Sequence, residues 1–240
     1  MLGNCMRQAL ELRTCVLFSG GKDSTFSLWW AIHQAHEVVC LLTIFPERSD
    51  SWMFHHPGLE WTRLQAEAIG IPQVTVRASG VKEEELQPMK EALLGLANTH
   101  KIDCVVTGAI ASEYQNSRIE RICSELGLRS IAPLWRRDPE GVLREQVQMG
   151  FEFILTACMA MGLDSSWLGR KVDSEAIDEL KEINRKYGIS LVFEGGEAET
   201  YVTDAPIFAK RIQIAEARPT WKGDSGYLDI IRADLAEKSA

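Results

Sequence analysis

Two runs in this 240-residue chain have the residue types and spacing to do chemistry, and the first is Ser19-Gly20-Gly21-Lys22-Asp23-Ser24. Consecutive glycines admit positive φ and let backbone N–H groups come close to an anion. A helix starting at the end of the run adds unsatisfied N–H groups and a positive dipole end. Lys22 brings a full positive charge, and Ser24 a hydroxyl that can cap the helix or touch a phosphate oxygen. The lysine follows the glycines directly, so this is not the GxxxxGK[ST] loop. Asp23, beside a phosphate cradle, is either a Mg²⁺ ligand or a local hydrogen-bond acceptor. The second run, Glu194-Gly195-Gly196-Glu197-Ala198-Glu199-Thr200, sets three carboxylates around a Gly-Gly turn. Such a turn can bind a cation, steer ammonia or supply a base, and it reads equally well as an acidic hairpin.

The elements that must position these residues follow from hydrophobic patterning. An apolar strand over 14–18 runs into the first loop and a helix over 25–34 leaves it, crowded with Phe26, Leu28, Trp29, Trp30 and Ile32. A continuous apolar run over 38–44 predicts a buried parallel strand, whose end would bring Thr43 and Ile44 beside the loop as backbone contacts for adenine. The polar and aromatic stretch 46–58 predicts a functional loop, with His55 and His56 as acid-base or ligand candidates. A helix over 59–69, a strand over 73–76, a helix over 82–99 opening on three glutamates and a strand over 103–107 come next. That last strand delivers Gly108 and Ala109 to the edge where the first loop lies. A helix over 112–126 carries Tyr114 and Arg118 near its start, so Arg118 is a candidate phosphate contact.

Strand–helix alternation as far as Ile131 predicts an α/β fold with a five-stranded parallel, doubly wound sheet. The run PLWRRDP at 133–139 breaks the pattern, which divides the chain into a domain carrying the first loop, 1–132, and a smaller α+β domain, 133–240. In the second part we expect a helix over 143–149, a strand over 151–159, a helix over 174–187, short strands over 191–193, 209–217 and 227–231, and a frayed tail from 233.

Composition narrows the function classes. With 34 acidic and 26 basic side chains the formal charge is −8, which offers no general attraction to nucleic acid or an anionic membrane, and neither is expected as a partner. No run reaches the length that spans a bilayer, and residues 1–12 contain no apolar core segment, so a cytoplasmic protein is expected. Cys15, Cys40, Cys104, Cys123 and Cys158 sit in apolar segments and read as core residues, with no C-x-x-C pair for metal or redox chemistry. Exposed aromatics such as Trp221 leave a homo-oligomer open.

The string SGGKDS resembles the signature of the PP-loop ATP pyrophosphatases, which cleave ATP between the α and β phosphates and adenylate a substrate. A wider set of strings resembles one branch of them, the diphthine–ammonia ligases: MFH at 53–55, TGAIASEYQNSRIERIC at 107–123, PLW at 133–135, SWLGRKVD at 166–173 and EGGEAETYVTDAPIF at 194–208. Phe193 departs from the glycine this family usually carries before the second run. The resemblance implies an adenine nucleotide alpha hydrolase-like (HUP type) domain, ATP and Mg²⁺ as cofactors, and the diphthine form of translation elongation factor 2 and ammonia as partners. It also implies an adenylated carboxylate and a product amide. Under it, Ser19 to Ser24 with Lys22 and Asp23 handle the leaving pyrophosphate and its metal. Glu194, Glu197 and Glu199 handle substrate or ammonium, with His55, Gly195, Gly196 and Thr200 around the substrate. Tyr114, Trp135 or Tyr201 would suit the trimethylammonium group of diphthine. Alternatives are a PP-loop enzyme adenylating another carboxylate or a tRNA base, and an ATP-binding sensor that never turns over.

Overall fold

The computed structural model of the protein describes residues 12–46, 59–79 and 83–238. Five strands form the first sheet: β1 (Arg13–Leu17), β2 (Glu37–Pro46), β3 (Gln73–Ala78), β4 (Cys104–Val106) and β5 (Arg129–Ile131). Their order is β3-β2-β1-β4-β5 and every pairing is parallel. Helices α1 (Lys22–His33), α2 (Thr62–Ile69), α3 (Leu86–His100) and α4 (Glu113–Glu125) make the crossovers. Because the chain moves outward from β1 in both directions, the carboxyl ends of β1 and β4 flank the topological switch point, where open parallel sheets bind ligands.

Strand side chains alternate between two buried faces, and each face has its own helices. Cys15, Leu42, Ile44 and Val105 pack on Met89 and Leu93 of α3 and Ile119 and Ile122 of α4. Val16, Leu41 and Val106 pack on Leu28 and Ala31 of α1 and Ala66 of α2. Burial on both faces explains why these strands read as continuous apolar runs. The cysteines among them are buried core residues carrying free thiols.

The second part contributes α5 (Pro139–Gln148), α6 (Ser174–Tyr187) and an antiparallel sheet of β6 (Glu152–Cys158), β7 (Ala198–Asp204), β8 (Arg211–Lys222) and β9 (Ser225–Ala236), in the order β7-β6-β9-β8. Its core takes in Phe26 of α1 and Ala68 of α2. Phe26 stacks on Trp29 at 5.1 Å between centroids and tilts against Phe151 at 5.2 Å. Apolar residues surround α1 because it lies between the two sheets.

Three local expectations need correction. No strand forms over 191–193: a turn there leads into a short 3-10 segment, Glu194–Gly196, and the acidic run leads into a strand, β7, and supplies its first three residues, instead of following one. The tail expected from 233 begins with the last four residues of β9, held by pairing from Arg211↔Ala236 to Ile214↔Ala233. Exposed charges along the solvent face had hidden the full length of this 12-residue strand, expected only over 227–231, whereas Leu228, Ile230 and Ala233 on its other face are buried. The third concerns Glu83, Glu84 and Glu85, which lie before α3 and outside its first turn, since Pro88 suits only the opening turn of a helix.

Asp173 closes the SWLGRKVD string by capping α6, its carboxylate accepting from Ala176 N at 2.9 Å. Asp173→Ala should cost about 1 kcal/mol of stability through the lost cap, read as a lower urea midpoint with an unchanged slope. No helix among the described residues is long and apolar enough to cross a membrane.

Candidate active site

Leaving β1, Gly20 takes a left-handed backbone (φ 76°), and Gly21, with φ −77° and ψ 167°, is the residue before α1. Hydroxyl groups close the turn. Ser24 Oγ accepts from Ser19 N at 3.2 Å and donates to Gly21 O at 3.1 Å, and Thr25 Oγ1 donates to the same carbonyl at 2.9 Å. The β4–α4 turn packs against the loop so closely that Gly108 has no room for a side chain.

The second run arrives from the opposite side of a common cleft. Lys22 N donates to Thr200 Oγ1 at 3.1 Å, and Val202 N donates to Gly20 O at 3.0 Å, so the loop is stitched to β7. Lys22 Nζ donates to Asp23 Oδ2 at 2.6 Å and to Val192 O at 3.1 Å, and the Phe193 ring lies 5.5 Å from it. The lysine is 1 % exposed. Burying an ammonium this deeply requires such partners. Asp23 Oδ1 accepts from Gln146 Nε2 at 2.9 Å, drawing α5 into the same network.

Phe193 holds a left-handed backbone (φ 63°, ψ 36°) while 5 % exposed. That conformation costs a residue with a Cβ about 1–2 kcal/mol, which explains the resembled family's glycine here, and burial of the ring offsets the cost. Gly195 and Gly196 also have positive φ, at 74° and 80°. Glu197 turns back on its own loop: its Oε2 accepts from Ser190 N at 2.6 Å, and its carbonyl accepts from Met159 N at 2.8 Å.

Burial raises the Glu197 pKa, with the neighbouring Glu194 charge adding to the rise and the Ser190 N–H opposing it. A carboxyl whose pKa rises on folding binds its proton more tightly in the native state, so its contribution to stability falls as pH climbs between the unfolded and folded values. Glu197→Gln keeps an acceptor for Ser190 N and removes the buried charge. It should be at least as stable as the parent at pH 7, with the difference vanishing below about pH 4, where both states are protonated. Thermal melts across that range check this.

Of the residues singled out from sequence, Ser19, Gly21, Lys22, Asp23, Ser24, Ile44, Gly108, Ala109, Glu194, Gly195, Gly196, Glu199 and Thr200 line this one cleft. Leu17, Leu42, Ile110 and Ile119 supply an apolar wall next to the loop. Others lie elsewhere. The Gly20 carbonyl points to Val202. Thr43 is buried within the sheet, donating to Phe18 O at 2.7 Å. Arg118 lies over the Tyr114 ring at 4.0 Å and pairs with Glu83 at 2.7 Å, since Tyr114 and Arg118 share the side of α4 that faces α3. Trp135 stands beside Arg136 in the turn after β5. Tyr201 is buried, its hydroxyl donating to Trp61 O at 3.1 Å. His55 and His56 lie outside the described residues.

Two residues missed in the sequence are Gln65 and Gln146, both fully buried and both donating to the first loop. The available signal was a polar side chain at a core position of an amphipathic helix: Gln65 among Thr62, Ala66 and Ala68, and Gln146 beside Val142 and Leu143.

The arrangement can hold a nucleotide by its phosphates at the loop and by its apolar base along the wall. Its fit to a metal is different. Both Asp23 oxygens already accept from protein donors, and no group of three metal-ligating side chains occurs among the described residues. A divalent ion here would depend mainly on phosphate oxygens.

Comparison with protein-family models matches residues 12–130 to the diphthamide synthase N-terminal domain and residues 138–236 to the diphthamide synthase C-terminal domain. The chain is 33% identical over 221 residues to a diphthine–ammonia ligase of Rattus norvegicus, covering 85% of this chain and 83% of that one. It is 30% identical over 250 residues to the enzyme of that name in Mus musculus, covering 95% and 94%. With the one in Schizosaccharomyces pombe it shares 34% identity over 216 residues, covering 83% of this chain and 36% of that longer protein.

Proposed function

The chain belongs to the diphthamide synthase family, and on that premise we propose that it is a diphthine–ammonia ligase using ATP, with the diphthine form of translation elongation factor 2 as its protein substrate, acting in the cytoplasm. A diphthine carboxylate oxygen attacks the α-phosphorus of ATP and pyrophosphate leaves. Ammonia then attacks the activated carbonyl carbon, AMP departs with the C–O electron pair, and the nitrogen loses a proton to leave the amide. The single observation that carries this reading is the convergence of two runs some 170 residues apart in sequence on one cleft, joined by the 3.1 Å bond from Lys22 N to Thr200 Oγ1.

In this reading the backbone N–H groups of the first loop, with Lys22, stabilise charge developing on pyrophosphate. Mg²⁺ bound to the phosphates would share that charge and polarise the α-phosphorus. Asp23 holds the Lys22 ammonium in place. Glu194 and Glu199, on the facing wall, suit the trimethylammonium group of diphthine by charge, and either can take the proton from the attacking nitrogen. Glu197, turned toward Ser190, keeps the acidic turn in shape.

The test is AMP release from ATP and Mg²⁺ with diphthine-bearing elongation factor 2, with and without ammonium. AMP formed in step with amide, and only when ammonium is present, is the expected result. AMP formed with a different carboxylate or a tRNA, and none with diphthine, would replace the substrate. No AMP or pyrophosphate with any substrate would reduce the protein to an ATP-binding sensor.

A further inference from the structure

We propose that Gln65 is a positioning residue of the nucleotide site: from α2 it fixes the orientation of the Gly20–Gly21 peptide so that the Gly21 N–H faces the cleft. The inference rests on the first loop being the phosphate site of the function proposed above.

Gln65 is fully buried. Its Nε2 uses both hydrogens, donating to Gly20 O and to Val202 O at 2.8 Å each. Both acceptors are carbonyl oxygens, so only the NH₂ end of the amide can face them and its orientation is settled by chemistry. Val202 N also donates to Gly20 O, at 3.0 Å, so that carbonyl is held from two sides, by a helix and by β7. In a trans peptide the C=O and the following N–H point in opposite directions. Pinning the Gly20 carbonyl toward Val202 therefore aims the Gly21 N–H the other way. Gly21 lines the cleft, and among the described residues its N–H meets only Ser19 Oγ there, at 3.5 Å, the outer limit of a hydrogen bond.

The other end of the Gln65 amide shows that folding stability alone does not account for the residue. Its Oε1 is buried without a partner among the described residues, and an unsatisfied buried acceptor typically costs about 1–3 kcal/mol, which a leucine would avoid. Gly20 is shaped around the same group. A Cβ on Gly20 would fall 2.1 Å from Gln65 Oε1, and φ there is 76°, so the first glycine of the motif makes room for this glutamine as well as for the turn. A residue that carries a polar cost in order to aim a backbone dipole fits the pattern of a functional site.

Gln65→Leu removes both donors and the orphaned acceptor at nearly constant volume, so the fold should persist. The expected result is a ten- to hundredfold fall in affinity for ATP, about what one hydrogen bond to a charged group contributes, with affinity for adenosine unchanged. A merely structural role would weaken both ligands together or neither. An unchanged ratio of ATP to adenosine affinity in the variant would overturn the inference. Should the variant not fold, ¹⁵N spectra of the full parent chain titrated with ATP decide it. The Gly21 amide should be among the most shifted signals, and its staying put at saturation would equally refute the proposal. A parent protein that does not prefer ATP to adenosine would instead sink the phosphate reading of the loop itself.

Discussion

Replacing Lys22 with alanine should lower the rate of AMP formation about 10²–10³-fold, equivalent to a loss of roughly 2.7–4 kcal/mol of transition-state stabilisation by one preorganised donor in a site shielded from water. The Lys22 side chain is 1 % exposed and its ammonium is held by Asp23 and Val192 O, so its position is set before substrate arrives. Charge that grows on the leaving pyrophosphate meets a cation that need not reorganise. The loss should therefore appear in kcat more than in KM for ATP, which rapid-quench measurement of AMP against ATP concentration resolves. Lys22→Arg should not rescue the activity. The larger guanidinium does not fit a side-chain position that is almost wholly buried and matched to a compact point charge. Equal AMP formation by Lys22→Ala and the parent would remove the loop from the chemistry.

Gly108→Ala should weaken nucleotide binding through backbone displacement, without touching any side chain of the motif. A Cβ at this position would lie 2.7 Å from Ser24 N, 2.8 Å from Asp23 C and 3.0 Å from Ser24 Cα. All three atoms are main chain of the first turn of α1, which cannot yield as a flexible side-chain tip can. Either the β4–α4 turn or the start of α1 must move, and overpacking of this kind costs about 1–3 kcal/mol. Calorimetric titration should show at least a tenfold weaker affinity for ATP, and urea denaturation a matching loss of stability. Gly95→Ala is the control. Gly95 lies inside α3 with nothing within 4 Å of its added Cβ, so the same change there should stabilise the protein by about 0.5–1 kcal/mol and leave binding intact. Were both variants to bind ATP like the parent, close packing of the two turns could not be what shapes the loop.

Legibility of the site tracked the range of the interactions concerned. The strand, turn and helix start around Ser19 to Ser24 were legible because the three are consecutive in the chain, and local serine hydroxyl bonds help to close the turn. Gly108 and Ala109 were found from topology, since β4 must end next to β1 at the switch point. Arg118 was a reasonable candidate by the same topology, yet it turns to Glu83. One helix face is shared between cleft and neighbour, and the sequence does not say where the division falls. The expected strand over 191–193 failed because three apolar residues fit a buried turn as readily as a strand, and only the left-handed Phe193 distinguishes the two. The two glutamines went unnoticed because a polar residue on an apolar helix face acquires its meaning from partners, Gly20, Val202 and Asp23, that are remote in sequence.

What the amino-acid sequence determined by itself was the parallel sheet with its crossovers, the strand, glycine turn and helix start of the first run, the existence of a second acidic run and the family to which both belong. These depend on periodicity and on local backbone conformation, which are properties of contiguous residues. The tertiary structure alone decided that the two runs share a cleft, that Glu197 serves its own turn while Glu194 and Glu199 face the loop, that Lys22 is buried beneath Phe193, and that α1 lies between two sheets. Each of these is set by packing and hydrogen bonds between segments far apart in the chain, whose free energy exists only once the chain has folded.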